Sequence, residues 1–248
     1  DWKPDVLLAV RPYDVSTVSW YQTLAPRVRT VCVQHTQKLV EGPGWLEARA
    51  WRGLNAWVVP LAQHRSVPVD LFGYPAERVC VIPPGLDPLQ YQDTRLTREA
   101  ARQQLDLPLD ATLIGVVAKL DPPRQQQLVL EAFLHLTQQP ALADRNLGVL
   151  FVGEPGRNNN SDYEARLKVF LQRHGLLQRV FFRRSQQVPY VVYRALYVYV
   201  HTAPDIFGMP LYEAMLSEVP VVAVRAAGPG EIVSPDHTGL LCSPGSVP

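Results

Sequence analysis

Charge is scarce in this chain: Asp, Glu, Lys and Arg supply 19% of its 248 residues and cancel to a net +1. No global field therefore gathers nucleic acid or anionic lipid. Cysteine is scarcer still. Cys32, Cys80 and Cys242 lie far apart with no Cys-x-x-Cys pair, and their strand-like flanks read as sites for buried, small apolar side chains in a reducing compartment. The six histidines and three cysteines show no zinc spacing. No apolar run reaches the ~20 residues that span a bilayer, and the opening does not read as a signal peptide. Gly-x-Ser-x-Gly and P-loop patterns are missing, as are internal repeats and low-complexity tracts. What is plentiful is apolar residues, 47% of the chain, enough for a sizeable core.

Those apolar residues come in short runs that alternate with helical spacing. Val6 to Val10, Arg29 to Val33, Ala56 to Val59 and Arg78 to Ile82 read as strands. Val15 to Leu24, Trp45 to Leu54 and Val67 to Phe72 read as helices. After a polar stretch holding a short helix from Arg98 to Leu105, a second series begins. Its strands are Thr112 to Val117, Gly148 to Val152, Val180 to Phe182, Leu196 to His201 and Pro220 to Val224. Its helices are Arg124 to Leu136, Tyr163 to His174, Val188 to Ala195 and Pro210 to Ser217. This alternation predicts an α/β protein with two Rossmann-like domains. The boundaries expected are 1–88 for a first domain, 89–110 for a linker and 111–248 for a second. The abrupt strand after Asp1 and the stop at Pro248 without a closing helix suggest a fragment whose first domain is incomplete at its N-terminus.

Ligands of open α/β sheets bind outside the carboxyl ends of the strands. The strand ends to inspect in the second series are Lys119, Gly153, Thr202 and Arg225. The richest segment runs from Thr202 to Met215, leaving a strand and opening a helix. Pro210 suits a first helical turn. Gly208 before it permits close backbone approach, and free N–H groups at a helix start make a phosphate site. Glu213 is expected in the first turn, eight positions after Asp205, so the two carboxylates would flank a bound diphosphate. Taken alone, the segment fits equally a reading in which Asp205 and Glu213 are ordinary capping and first-turn acids.

The same segment resembles the acid-x7-acid motif of retaining glycosyltransferases of the GT-B architecture, family 4 in particular. The usual pattern is Glu, one residue, Phe-Gly, four residues, then Glu-Ala-Met. Asp205 replaces the first Glu, while Phe207-Gly208 and Glu213-Ala214-Met215 are kept. The resemblance continues through Pro220-Val221-Val222-Ala223, Gly228-Pro229-Gly230-Glu231-Ile232-Val233 and His237-Thr238-Gly239-Leu240-Leu241. Upstream, Val81-Ile82-Pro83-Pro84-Gly85-Leu86-Asp87 is similar to the stretch before the family's second domain. The family's basic pair, Arg then Lys five residues on, falls at Lys119 and Arg124 with the residue types exchanged and Ala118 in place of Gly. Arg and Lys differ in geometry, so the exchange is not neutral. Gly153-Glu154-Pro155-Gly156 resembles the family's glycine-rich turn, whereas Arg183-Arg184-Ser185 stands where a glycine is usual. His35, at the end of a strand, resembles the family's histidine near the sugar. A structural His35 and surface roles for Lys119 and Arg124 are the plain alternatives.

The resemblance implies two Rossmann-like domains facing across a cleft, and a transferase moving a sugar from a nucleoside-diphosphate-sugar to a hydroxyl acceptor with retained configuration. It implies catalytic roles for His35, Lys119, Arg124 and Asp205. It implies donor contacts from Gly153, Glu154, Phe207, Gly208, Met209, Leu211 and Glu213. No cofactor and no metal is called for, because the two cations and the helix start can carry the diphosphate charge. The expected partners are donor and acceptor, with no nucleic acid. The expected setting is cytoplasmic, with room for peripheral contact at a membrane surface. The rival readings are a decayed sugar-nucleotide-binding protein, a phosphorylase on the same scaffold and a sugar-nucleotide epimerase.

Overall fold

The structure is a computed structural model, described for residues 3–10, 12–34, 45–91, 96–156, 162–185, 189–203 and 208–245. The chain forms two compact units, Asp1–Gly85 and Leu86–Pro248.

In the first unit, β1 (Val6–Ala9), β2 (Arg29–Val33), β3 (Ala56–Val59) and β4 (Val79–Val81) form a parallel sheet in that spatial order. Helices α1 (Pro12–Leu24) and α2 (Trp45–Trp51) are the longer connections. Its core is built on aromatic rings. Trp57 stacks on Phe72 at 5.8 Å, and Trp51 meets Phe72 edge-on at 4.9 Å. Their polar atoms are satisfied at the rim, as buried indoles and phenols require: Trp51 Nε1 donates to Ser16 Oγ and the Tyr74 hydroxyl to the Leu54 carbonyl. Cys32 is buried here, and burial pushes its thiol up to about 12. Cys80 departs from its expected burial. It lies exposed on β4, which ends the sheet and buries only Val79.

The second unit carries a six-stranded sheet. Its strands are β5 (Thr112–Val117), β6 (Leu147–Val152), β7 (Val180–Arg183), β8 (Val198–His201), β9 (Val221–Val224) and β10 (Leu240–Cys242). Every pairing is parallel and the spatial order is β10-β9-β8-β5-β6-β7. All six residues of β6 are buried, the unbroken apolar run of a strand covered on both faces. Successive residues serve opposite faces. Leu113, Leu150 and Val152 pack with α3 (Arg98–Gln104), α6 (Pro189–Arg194) and α7 (Met209–Leu216). Ile114, Val116, Val149 and Phe151 pack with α4 (Gln126–Thr137) and α5 (Tyr163–Arg173).

Residues 89–110, expected as a linker, belong to this unit and contribute Tyr91, Ala101, Leu105 and Leu107 to its core. Helix α3 starts at a cap, Thr97 Oγ1 accepting from the Ala100 N–H at 3.1 Å. Its Arg102 is 1% exposed and spends its guanidinium on carbonyls, donating to Ala195 O at 3.1 Å and Leu109 O at 2.6 Å. Two elements had no counterpart in the sequence reading: β10, and α8 (Ala227–Ile232). The order is simple on either side of one point. From β5 the chain winds outward through β6 and β7, then returns to β8 beside β5 and winds the other way. The reversal leaves a crevice between the carboxyl ends of β5 and β8, where open α/β sheets bind their ligands.

Candidate functional site

At the end of β5 the chain enters the loop that bears the two expected cations. Pro122–Arg124 makes a single tight turn and Gln125 takes a left-handed conformation, φ 56°, so α4 begins at Gln126 rather than at Arg124. The loop is tied at both ends. Gln126, fully buried, donates from Nε2 to the Lys119 carbonyl at 2.8 Å. Thr202, immediately after β8, donates from Oγ1 to the Arg124 carbonyl at 2.6 Å. That bond spans the crevice and fixes the basic loop to the far side of the switch point. Asp121 lies between the cations, with Oδ2 4.0 Å from Lys119 Nζ and Oδ1 3.9 Å from Arg124 Nε. Lys119 is exposed and Arg124 is about one-third exposed at 32%, so each remains within reach of a ligand.

Arg124 is also sensed from below. The Tyr199 hydroxyl and His201 Nδ1 are 3.0 Å apart at the end of β8. Burial, and then the Arg124 guanidinium, pull His201 down to about 4, while a hydrogen bond with the Ala203 backbone works the other way. His201 is therefore neutral at ordinary pH. Tyr199 is pushed far up by burial and stays a phenol, as does Tyr193, whose ring meets it edge-on at 5.8 Å. The Tyr193 hydroxyl donates to Glu213 Oε2 at 2.6 Å. The carboxylate also interacts with the Tyr91 hydroxyl, which burial and Glu213 together push up to about 12. A buried polar file thus runs beneath the crevice from Arg124 to Glu213.

Across the crevice, α7 is preceded by its cap residue Gly208, buried and at a left-handed φ of 51° that favours glycine. A Cβ there would lie 2.9 Å from Ile232 Cδ1 of α8. The Leu211 and Tyr212 N–H groups turn back to the Gly208 carbonyl, at 2.7 and 3.4 Å. Pro210 has no N–H. Among the described residues, the amides left at this end belong to Gly208 and Met209. Two expectations change here. Leu211 is sealed in the core with its amide already used. Glu213 lies beyond the first turn, which holds no acid, because α7 begins at Met209; its carboxylate is held by tyrosines instead of by the helix dipole. It is half-buried, not closed off.

The glycine-rich turn after β6 has a packing role. A Cβ on Gly153 would stand 2.0 Å from the Ala118 carbonyl oxygen, so two loop backbones touch there. Glu154 braces the same contact. Its carbonyl accepts from the Leu120 N–H at 2.8 Å, and its carboxylate from the Ser185 N–H at 3.2 Å. Arg183 clasps the end of α3, donating from Nε to Leu105 O and from a terminal nitrogen to Asp106 O. Arg184 pairs with Glu164 at 3.1 Å. Lys119, Arg124, Gly208, Met209 and Glu213 therefore lie on the elements that border the crevice, and Gly153 and Glu154, beyond β5, brace the loop that carries the cations. His35, Asp205 and Phe207 lie outside the described residues. Thr202, marked in the sequence as a strand end to inspect, takes part, as do Tyr91, Tyr193 and His201, which the sequence did not single out.

Residues 97–247 match the profile of the family described as glycosyl transferases group 1. The chain belongs to that family. Among curated relatives, the D-inositol 3-phosphate glycosyltransferase of Stackebrandtia nassauensis is 30% identical over 191 residues, covering 75% of this chain and 42% of the relative. That of Corynebacterium efficiens is 32% identical over 171 residues, covering 66% and 39%. This group 1 glycosyltransferase chain thus spans about two-fifths of these relatives. Among solved structures, HepE of Anabaena in complex with UDP superposes with a TM-score of 0.82 at 23% identity, over 98% of this chain and 66% of HepE. Sucrose-phosphate synthase of Thermosynechococcus elongatus gives 0.73 at 20% identity, over 98% and 61%. At such identities the likeness is one of fold, and the fold is that of the GT-B glycosyltransferases. Among the described residues, no helix is long and apolar enough to cross a membrane.

Proposed function

We propose that the second unit binds the donor of a retaining, hexosyl-type glycosyltransferase that passes a sugar from a nucleoside-diphosphate-sugar to a hydroxyl of a glycan, lipid or polysaccharide precursor. The observation that carries this reading is the bond from Thr202 to the Arg124 carbonyl, which holds a basic loop over the switch point facing the start of α7. The diphosphate sits against the Gly208 and Met209 amides, and Lys119 and Arg124 neutralise the charge that grows as the sugar–oxygen bond breaks. Glu213 accepts from the ribose hydroxyls. Asp205 orients the sugar and His35 serves near the sugar, roles that rest on the sequence resemblance. No side chain is assigned as a nucleophile. The protein's own cations suffice for the diphosphate in this reading, with no metal assigned. Three free cysteines support a cytoplasmic setting.

The complexes of HepE with UDP and UDP-glucose make UDP-sugars the first donors to try. A panel of UDP-, GDP- and ADP-sugars raises the melting temperature only for a donor that binds. With that donor and an acceptor screen, Arg124→Ala and Lys119→Ala are each expected to lower kcat by roughly 100-fold. Binding with no turnover in the longest available chain would favour a decayed binding protein. Release of sugar phosphate that depends on free phosphate would favour a phosphorylase.

A further inference from the structure

Among the described residues, Glu213 is the half-buried carboxylate at the crevice that is gripped from inside the core. The Tyr193 hydroxyl reaches it at 2.6 Å from a ring that is fully buried, and Tyr91, 5% exposed, approaches it with its own hydroxyl. The two tyrosines come from different places, Tyr193 from α6 and Tyr91 from the stretch ahead of α3. A carboxylate offers about four lone-pair positions. The Tyr193 donor occupies one, the Tyr91 hydroxyl stands beside a second, and the two that remain match the two donors of a ribose cis-diol. A glutamate left free would have to give up rotamer freedom on binding. This one has already done so, and a group ordered in advance binds at lower cost.

We infer that Tyr193 and Tyr91 are positioning residues that lock the Glu213 carboxylate toward a ribose diol, and that this locked carboxylate makes the site select ribonucleotide over 2′-deoxyribonucleotide donors. The inference rests on the proposed donor site and adds the origin of its sugar selectivity. Because burial raises both phenols, they stay protonated donors at any pH the protein meets, and the lock does not titrate away.

The test is calorimetric titration of the full chain with UDP, GDP and ADP, each beside its 2′-deoxy counterpart, for the unsubstituted protein and for Tyr193→Phe, Tyr91→Phe and the double variant. The unsubstituted chain is expected to prefer one ribonucleotide over its deoxy form by roughly 10-fold. Each Phe variant should lower that preference by about 3-fold, leaving affinity for the deoxy form within about 2-fold. A merely structural tyrosine would weaken both forms equally, and that result overturns the inference, as does an unchanged preference. So does an unsubstituted chain that binds a diphosphate with no preference, which leaves the donor site standing. A chain that binds none of the six removes both readings. Tyr91→Phe decides the matter alone if Tyr193→Phe does not fold, as judged by circular dichroism.

Discussion

Acid should loosen the second unit through His201 before it reaches the carboxylates. In the unfolded chain a histidine titrates near about 6.5, whereas in the fold His201 is held down to about 4, first by burial and then by the Arg124 guanidinium. The unfolded form therefore takes the proton first. The stability that neutral His201 contributes is intact above about 6.5 and is lost as pH falls toward 4. The whole shift corresponds to about 3 kcal/mol, of which about 2 kcal/mol disappears between pH 7 and pH 5. His201 is 3% exposed, so solvent screening does not dilute that figure much.

The perturbation is a pH series of urea unfolding on the wild type and on His201→Gln, which fills similar space without titrating. All five tryptophans precede residue 58 and report only the first unit, while most helices of the second unit appear in the far-ultraviolet circular dichroism. The dichroic transition of the wild type should lose about 2 kcal/mol more than that of the variant between pH 7 and pH 5. The tryptophan transition should show no such difference. Parallel dichroic curves for the two proteins would refute the reasoning, because they would mean His201 is charged, or solvated, in the folded state.

Other substitutions probe the same end of the sheet. Gly153→Ala puts a methyl 2.0 Å from the Ala118 carbonyl, and since both partners are backbone the loops must part; a loss of roughly 3 kcal/mol in urea unfolding is expected, with weaker diphosphate binding. Arg102→Met leaves the Ala195 and Leu109 carbonyls without their donor and should cost about 2–4 kcal/mol, read from the same unfolding curves. Thr202→Val keeps the shape of the side chain but releases the Arg124 carbonyl. It should cost about 1 kcal/mol in stability while lowering kcat for the donor that binds by roughly 10-fold, because the basic loop loses its tie.

The parts of the fold that were legible in the sequence are those where burial alone writes the pattern. The run from Thr112 to Val117 is a strand to the residue, and Gly148 to Val152 lacks only Leu147, because both strands are enclosed on two faces. Helix α8 was not legible, since Ala-Gly-Pro-Gly-Glu-Ile has no apolar period and poor helix formers; it exists because it packs on the start of α7. The start of α4 was misplaced by two residues because a left-handed Gln125 is not a residue type that announces itself. Charged side chains were the least legible. Arg102 carried no signal in the sequence and Arg183 only a place where glycine is usual; both are carbonyl clasps, which depends on chain segments far away in sequence. Nothing in the sequence singled out Tyr91 or Tyr193, and only the fold brings their hydroxyls to Glu213.

The placement of His201 bears on why the site can work without an assigned nucleophile. A site that helps a diphosphate leave needs positive charge fixed where negative charge will grow, and it gains nothing from charge that is free to move. Thr202, Gln126 and Asp121 fix the position of the basic loop through two carbonyls and a shared carboxylate. Beneath it, burial keeps His201 neutral, so the core at the end of β8 adds no buried cation to Lys119 and Arg124 of the loop above. At the far end of the same file, the Glu213 carboxylate is held by a tyrosine hydroxyl rather than by a cation. Had either tyrosine been an arginine, the carboxylate would have been paired and lost to a ribose, and the basic loop would no longer mark the one place where a phosphate is favoured. The neutral polar core between the two charges keeps them separate and fixed, as recognition of both the diphosphate and the ribose of one ligand requires.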